Sequence, residues 1–362
     1  MTWPIKKLGE VIEINYGKGL PKESRIDSGK YFAYGSNGPI YGTDKTLTKS
    51  ETIVIGRKGT AGALYFISDP CWPIDTTFFA KPKSDVSLKF IYYLLRTKKL
   101  PRLAIVTGVP GINRTTLANI NVQLPPLATQ KQIVERLDKI AEAQKLNDSL
   151  IQKTDELFQS LLHKELNPAG KNWKIKKIKD VTTVKNGGTP STKNQKYWNG
   201  QNLWLTPKEL SGFEDIEIFD TERKISDDGL KNSSATSLPT GTVLLTSRAP
   251  IGYIAIAGVP MATNQGFKNF ICNDKQLDNK FLYFFLRLKT KYLQSLGRGA
   301  TFTEISKTAV EKIDIPVPSL ETQKQIVAKL SAIQNYKKQL LEQKVKLKEL
   351  LDSTLHKSMS NK

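Results

Sequence analysis

The sequence is poor in the residues on which most catalytic and secreted proteins rest. Cysteine occurs twice, at Cys71 and Cys272, outside any CxxC pair. That excludes a disulfide framework and a thiolate zinc site, and both read as buried small hydrophobes. Histidine also occurs twice, at His163 and His356, too few for a His-based triad or a His-rich metal site; each reads as packing or charge near a helix end. No GxxxxGK[ST] is present, which excludes a nucleotide P-loop. GRKGTAG places its glycines at 56, 59 and 62, the spacing of a turn and not of a dinucleotide cradle. The nearest approach to a nuclease centre is Asp215 followed by Glu222-Arg223-Lys224. Such groupings arise by chance in lysine-rich chains, and no metal site is assigned to it. No run of 18 apolar residues exists, and MTWPIKKLGE lacks the apolar centre of a signal peptide. The expectation is a cytoplasmic protein with no membrane partner.

Acidic residues are scarce as well: 34 Asp and Glu face 55 Lys and Arg, a net charge of +21. That excess is beyond what solubility needs and points to a polyanionic partner. With 362 residues and 39% hydrophobic content the chain can bury ordinary cores, in two or three domains.

What the sequence does contain is a repeat. TQKQIV begins at Thr129 and again at Thr322, an offset of 193. At the same offset, ELFQSLLHK from Glu156 faces ELLDSTLHK from Glu349. Further back, FIYYLLR from Phe90 resembles FLYFFLR from Phe281, and IVIGRKGTAG from Ile53 resembles VLLTSRAPIG from Val243. WPIKKLGEVIEINYG from Trp3 matches WKIKKIKDVTTVKNG from Trp173. One unit is therefore used twice: a globular domain over 1–128 with a helix over 129–166, then a second domain over 167–321 with a helix over 322–362.

Ile133, Leu137, Ile140, Ile151, Phe158 and Leu161 recur at the spacing of one helix face, as do Ile326, Leu330, Ile333, Leu340, Leu347 and Leu351. Thr129 with Gln132, and Thr322 with Gln325, fit a T-x-x-Q capping box. Roughly 36 residues give a rod of about 54 Å. Gln144 and Asn147 interrupt the stripe, so the rods are expected to pair. Connectivity makes that pairing antiparallel, an approximately two-fold coiled-coil spacer between the two domains. The domains themselves carry short β-like runs (ETIVIG, ALYFIS, GTVLLTS, GYIAIAG) and one helix each, LKFIYYLLRT and NKFLYFFLRL, before a last strand. The predicted class is α+β with curved, mostly antiparallel sheets.

Helix 129–165 holds six Lys/Arg against seven Asp/Glu, so most of the basic excess lies on the domains. There, basic residues share turns with aromatic and small polar ones: Tyr34, Ser36 and Asn37 with Arg57 and Lys58 in the first domain; Lys193, Tyr197, Trp198, Thr206, Lys208 and Arg248 in the second. Arg and Lys suit phosphates and guanine edges, Asn and Gln suit adenine. Two unlike basic heads on one spacer would read a bipartite, asymmetric DNA site, since ten base pairs span about 34–36 Å. The rival reading is a coiled-coil scaffold or a non-specific nucleic-acid-binding protein.

The repeated PxxxTQKQIV, SRAPIGYIAIAGVPMATNQGFK (247–268), LWLTPKEL (203–210) and YGSNGPIYG (34–42) together resemble the specificity subunit of type I restriction-modification systems. The resemblance covers essentially the whole chain, with PIDTTFF (73–79) standing in the first repeat where the second has ATNQG. It implies two target recognition domains reading one half-site each, with Asn264, Gln265 and Lys268 joining the DNA-binding set. It also implies no catalysis in this chain and no cofactor bound by it. The implied partners are double-stranded DNA, two modification subunits that carry S-adenosylmethionine and methylate adenine at N6, and restriction subunits that use ATP and Mg. No [DNS]-PP-[YFW] methyltransferase motif occurs here. Gln130, Lys131, Gln323 and Lys324, which the cap and seam leave unexplained, are then expected to face a modification subunit.

Overall fold

A computed structural model describes residues 3–83, 85–106, 108–248, 250–297 and 304–359; Ala249 of the quoted 247–268 segment lies outside them. In chain order the first repeat forms β1 (Ile5–Lys7), α1 (Leu8–Val11), β2 (Ile12–Tyr16), β3 (Tyr31–Gly35), β4 (Gly38–Thr43), β5 (Thr52–Gly56) and β6 (Leu64–Ile67). It continues through β7 (Trp72–Pro73), β8 (Thr77–Pro82), α2 (Leu88–Thr97), α3 (Arg114–Ala118), β9 (Asn121–Gln123) and α4 (Leu127–Leu166). The second repeat forms β10 (Lys174–Lys177), α5 (Ile178–Val181), β11 (Thr182–Asn186), β12 (Trp198–Leu205), β13 (Glu217–Ile218), β14 (Lys224–Ile225), α6 (Asp227–Lys231) and β15 (Val243–Thr246). It ends with β16 (Ile254–Ala257), β17 (Ala262–Thr263), β18 (Phe267–Cys272), α7 (Asn279–Leu288), α8 (Thr290–Leu296), α9 (Lys307–Glu311), β19 (Asp314–Val317) and α10 (Leu320–Met359).

The repeat is visible in the pairing. An antiparallel sheet β2-β8-β5-β6 corresponds to β11-β18-β15-β16, to which β13 adds in parallel. The small sheet β4-β3-β7 corresponds to β14-β12-β17, and β1-β9 to β10-β19. The class is thus α+β with mostly antiparallel pairing. α2 and α7 start on side-chain caps: Ser87 Oγ accepts from Phe90 N (3.2 Å) and Asp278 Oδ1 from Phe281 N (3.0 Å). Their apolar faces, including Phe90, Ile91 and Leu94 or Phe281, Phe284 and Phe285, are buried.

The chain divides into two compact units, 1–148 with 342–362, and 149–341, so both long helices contribute to both. In the first unit, Ile133 and Leu137 of α4 and Leu351, Leu355 and Met359 of α10 enter one core with the sheet and α2. Gln144 Nε2 donates to the Leu347 carbonyl (3.1 Å), and Lys344 pairs with Asp148 (2.9 Å). In the second unit, Phe158, Leu162 and Leu166 of α4 meet Ile326 and Leu330 of α10 in the core of the larger sheet. There Lys337 pairs with Asp155 (2.9 Å) and Lys329 with Glu165 (3.3 Å). Partner numbers rise on one helix as they fall on the other, which is antiparallel packing in each unit. Leu162, not Leu161, supplies the buried position.

Two expectations about TQKQIV are corrected. The helices begin at Leu127 and Leu320, directly after Pro126 and Ser319, because proline is tolerated next to a helix start. Thr129 and Thr322 therefore sit inside the first turn, and Ser319 Oγ accepts from Thr322 N (3.2 Å), displacing the threonine from the cap. Gln130 and Gln323 do not face solvent. Gln130 accepts from Ser87 N (2.9 Å) and donates to the Pro125 carbonyl (2.8 Å); Gln323 accepts from Asp278 N (2.8 Å) and donates to the Pro318 and Gln276 carbonyls (2.9 Å each). Each buried amide ties the cap of α2 or α7 to the start of the long helix, while Lys131 and Lys324 remain exposed. His163 and His356 lie in the last turns of α4 and α10, and Cys272 is half-buried where Cys71 is buried.

Because Leu355 completes a core built mainly from the first repeat, Leu355→Ala is expected to destabilise the first unit by about 2–5 kcal/mol, the usual cost of a buried Leu→Ala. Chemical denaturation, with proteolysis or hydrogen exchange to identify which unit opens first, checks it; opening of the second unit first would be the contrary result.

Candidate nucleic-acid interface

In both repeats the chain makes the same crossing at one end of the sheet. Gly17 follows β2 and Gly187 follows β11; a Cβ there would lie 2.0 Å from the Ile74 carbonyl oxygen or 1.7 Å from that of Asn264, so only glycine fits. Lys18 N then bonds the Pro73 carbonyl (3.0 Å) and Gly188 N the Thr263 carbonyl (2.8 Å). Arg57 N reaches the Thr76 carbonyl (2.9 Å) as Ser247 N reaches that of Gly266 (2.7 Å); Ile112 N bonds Arg57 O and Ile305 N bonds Ser247 O, both 2.9 Å. One backbone frame thus presents four loops in each repeat.

In the first repeat the Thr76 carbonyl also accepts from Ser36 Oγ (2.6 Å) and Lys58 N (3.1 Å), which brings the β3–β4 turn beside the Arg57 turn. Asn37 and Lys58 are exposed, and Tyr34 is half-buried with its ring 6.5 Å from that of Tyr65. Burial first, then the neighbouring Cys71 and Asp69, push the Tyr34 hydroxyl above the usual phenol range. The guanidinium of Arg57 lies 5.0 Å from the ring of Tyr16 and that of Arg114 5.4 Å from the same ring. Tyr16 is 47% exposed, and neither arginine has an ion-pair partner among the described residues. Arg57 Nη1 donates to the Asp75 carbonyl (3.1 Å). Two stacked guanidiniums free of carboxylate present N–H edges suited to phosphate or a guanine edge.

The second repeat fills the same frame with different chemistry. Arg248 pairs with Glu304 (2.8 Å), and Lys268 pairs with the other oxygen of Glu304 (3.0 Å) while its ammonium meets Ser247 Oγ at 3.3 Å. Burial raises the Glu304 carboxyl, but hydrogen bonds and charge from Lys268 and Arg248 outweigh it and hold it below the ordinary glutamate range. Beside this, Pro207 packs near Gly266, Asn264 N bonds the Leu205 carbonyl, and Asn264 Oδ1 accepts from Gly266 N (2.8 Å). Exposed Gln265 accepts from Thr189 Oγ1. Arg223 lies 4.1 Å over Trp198 and 4.9 Å from Trp204, whose rings meet edge to face at 5.1 Å. Lys193 and Lys208 are exposed and Tyr197 half-buried.

Three of the candidate side chains turn out to be engaged internally. Ser36 is buried on the Thr76 carbonyl. Thr206 gives both its N–H and its hydroxyl to Glu209 as a helical cap (2.8 and 2.7 Å). Lys268, at 4% exposure, points inward from β18 to Glu304. Their short or inward-directed side chains leave no edge for a partner. Asp215 pairs with Lys338 and Lys224 with Asp220, so the acidic-x-Lys grouping is a pair of surface ion pairs. Tyr16, Arg114 and Glu304 escaped the sequence reading, and Arg223 was noticed only as part of the discarded acidic-x-Lys grouping; the basic residue after the cap in both repeats, Arg114 after Asn113 and Lys307 after Ser306, was the available signal for one of them.

Among the described residues no helix is long and apolar enough to cross a membrane. A family model described as type I restriction modification DNA specificity domain matches residues 1–154 and again 170–349. The MjaIX specificity subunit of Methanocaldococcus jannaschii, a type I restriction enzyme component, is 44% identical over 184 residues, 50% of this chain and 41% of that one. The chain thus spans about two fifths of that relative's length. The putative MjaX specificity subunit of the same organism is 26% identical over 303 residues, 77% of this chain and 68% of the other. The crystal structure of a type I restriction-modification S subunit from M. genitalium superposes with a TM-score of 0.70 at 16% identity, over 100% of this chain and 97% of that one. A second structure, from work on complex assembly and conformational transition of the type I system, gives 0.64 at 19% identity, over 99% and 98%. At such identity these two establish likeness of fold.

Glu304 is charged in the fold at a depressed pKa, so its contribution is present above the ordinary glutamate range and is lost as pH falls through the depressed value. Glu304→Gln should lower the melting temperature near neutral pH and remove that acid-side component; melting curves of both proteins across the acidic range check it, and curves that stay parallel would contradict the assignment.

Proposed function

We propose that this chain, which belongs to the family of type I restriction-modification DNA specificity domains, is the DNA-reading subunit of such a system. Each repeat reads one half-site of a bipartite, asymmetric sequence. The observation that carries this is the one frame with two chemistries. The same frame displays Tyr16, Arg57 and Arg114 in one repeat and Arg248 and Glu304 in the other, where the Trp198–Arg223 stack joins it through Trp204 Nε1 on the Gly188 carbonyl (2.9 Å). A shared scaffold with unlike reading groups suits two different half-sites. A scaffold or non-specific binder has no use for that divergence. The excess of +21 supplies the phosphate attraction common to both.

In this reading the chain performs no chemistry. Two modification subunits bring S-adenosylmethionine to adenine N6, and restriction subunits bring ATP and Mg. Exposed Lys131 and Lys324, each the fifth residue of its helix, α4 and α10, are the positions proposed to meet the modification subunits. The paired helices set the number of unread base pairs between half-sites.

A base-resolution map of N6-methyladenine in the source genome, with and without the gene, tests the reading: one bipartite motif should lose methylation. An unchanged map, with the partners expressed, would count against it. At the level of residues, Arg57→Ala with Arg114→Ala should weaken duplex binding about tenfold or more and lower the salt slope by about one to two, two phosphate-type contacts being lost. Titrations at several salt concentrations measure both, and an unchanged slope would remove the stacked arginines from the interface.

A further inference from the structure

The loop between Leu103 and Ile112, of which Thr107 lies outside the described residues, has no part in the assignments above, and it exposes three apolar side chains within five residues. Ile105 is 58% exposed, Val106 72% and Val109 71%. The two ends of the loop pair with each other: Ile105 N bonds the Gly111 carbonyl (2.8 Å) and Gly111 N that of Ile105 (3.1 Å). Its stem lies against the arginine turn, with Gly59 N on the Pro110 carbonyl (3.0 Å) and a β-bridge between Lys58 and Gly111. The stem that carries Ile105, Val106 and Val109 is therefore held beside Arg57, Lys58 and Arg114, with Arg102 three residues before it, and none of these cations has an ion-pair partner among the described residues. Water is a poor final environment for three exposed branched side chains on one turn. A protein surface complementary to them would have to accept four unpaired cations at the rim, whereas duplex DNA offers phosphates to the cations and base faces or thymine methyls to the apolar tip.

The geometry points to a wedge: Ile105, Val106 and Val109 press into a groove of the half-site read by the first repeat and partly unstack one base step, with the neighbouring cations on the flanking phosphates. Apolar wedges of this kind kink duplexes by about 20–90°. The assignment rests on the DNA-reading function proposed above and adds to it a deformation of one half-site.

The test uses the full chain assembled with its modification subunit and a duplex carrying the motif from the methylation map. Val106→Ser with Val109→Ser changes exposed tips, so melting temperature and co-elution with the modification subunit should match the parent. Affinity for the duplex should fall about a hundredfold or more, the order expected for two valines no longer buried. The bend at the first half-site, read by circular permutation, should shrink. Unchanged affinity overturns the wedge, and so does weaker binding with an unchanged bend, which would make the tip a contact without insertion. Loss of co-elution with affinity per assembled complex intact overturns it in favour of a protein-docking role. If the unsubstituted complex binds motif and unrelated duplex equally, the DNA-reading function itself falls and the wedge with it.

Discussion

Everything in this molecule depends on how its two cores are closed. Neither sheet with its helix is a complete core. The first takes in Ile133 and Leu137 from the helix that follows it, and also Leu351, Leu355 and Met359 from the end of the chain. The second takes in Ile326 and Leu330 from its own helix, and Phe158, Leu162 and Leu166 from the end of the other repeat's. Burial of apolar area is the main favourable term in folding, so each unit's stability is written partly in the sequence of the other repeat. The seam residues between these ends can then be polar without loss. Gln144 on the Leu347 carbonyl and the Asp148–Lys344 and Asp155–Lys337 pairs fix register and direction more than they add stability.

The same constraint explains the hexapeptide. Gln130 and Gln323 each satisfy a cap N–H of the preceding short helix and a carbonyl at a proline before the long one. A buried amide with both ends bonded holds the angle between two helices, and any shorter or apolar side chain would leave those backbone groups unpaired. The identity of TQKQIV in two places follows from one joint being built twice. On sequence alone the glutamine looked like a surface residue because it is polar, although it stands three residues before Ile133 or Ile326, in line with the apolar stripe. What the pattern did not show is that a second helix starts against that face and supplies the amide with partners.

Legibility followed the range of the interaction. The repeat, the class, the short helices at 88–97 and 279–288 and the pairing direction of the long ones were readable, since each rests on pattern within a segment or on chain connectivity. The groups that the frame brings together were half readable. Turn composition pointed to Arg57, Lys58, Asn37, Trp198 and Arg248. It could not tell that Lys268 turns inward or that Tyr16 and Arg114, nearly a hundred residues apart, meet over Arg57's turn. Contacts across that separation are set by the sheet, and a strand residue's side is decided by register.

The two sites also differ in how free their cations are, and that difference bears on what each can discriminate. Arg57 and Arg114 lean on an aromatic ring that holds them by a weak, non-directional attraction, and apart from the Arg57 donor given to the Asp75 carbonyl their N–H edges face no carboxylate. Arg248 is oriented by a carboxylate that itself answers to the buried Lys268. An arginine held this way has less conformational freedom to lose on binding and a fixed direction of approach, but it must share its donors with Glu304, and the carboxylate repels any phosphate that comes too near. The first arrangement favours attraction and adaptation to a deformed duplex. The second favours a single geometry and rejects partners that do not supply it, because binding there must compete with an ion pair already made. In the proposed reading, discrimination in the second repeat is therefore set by Glu304 as much as by the arginine it holds.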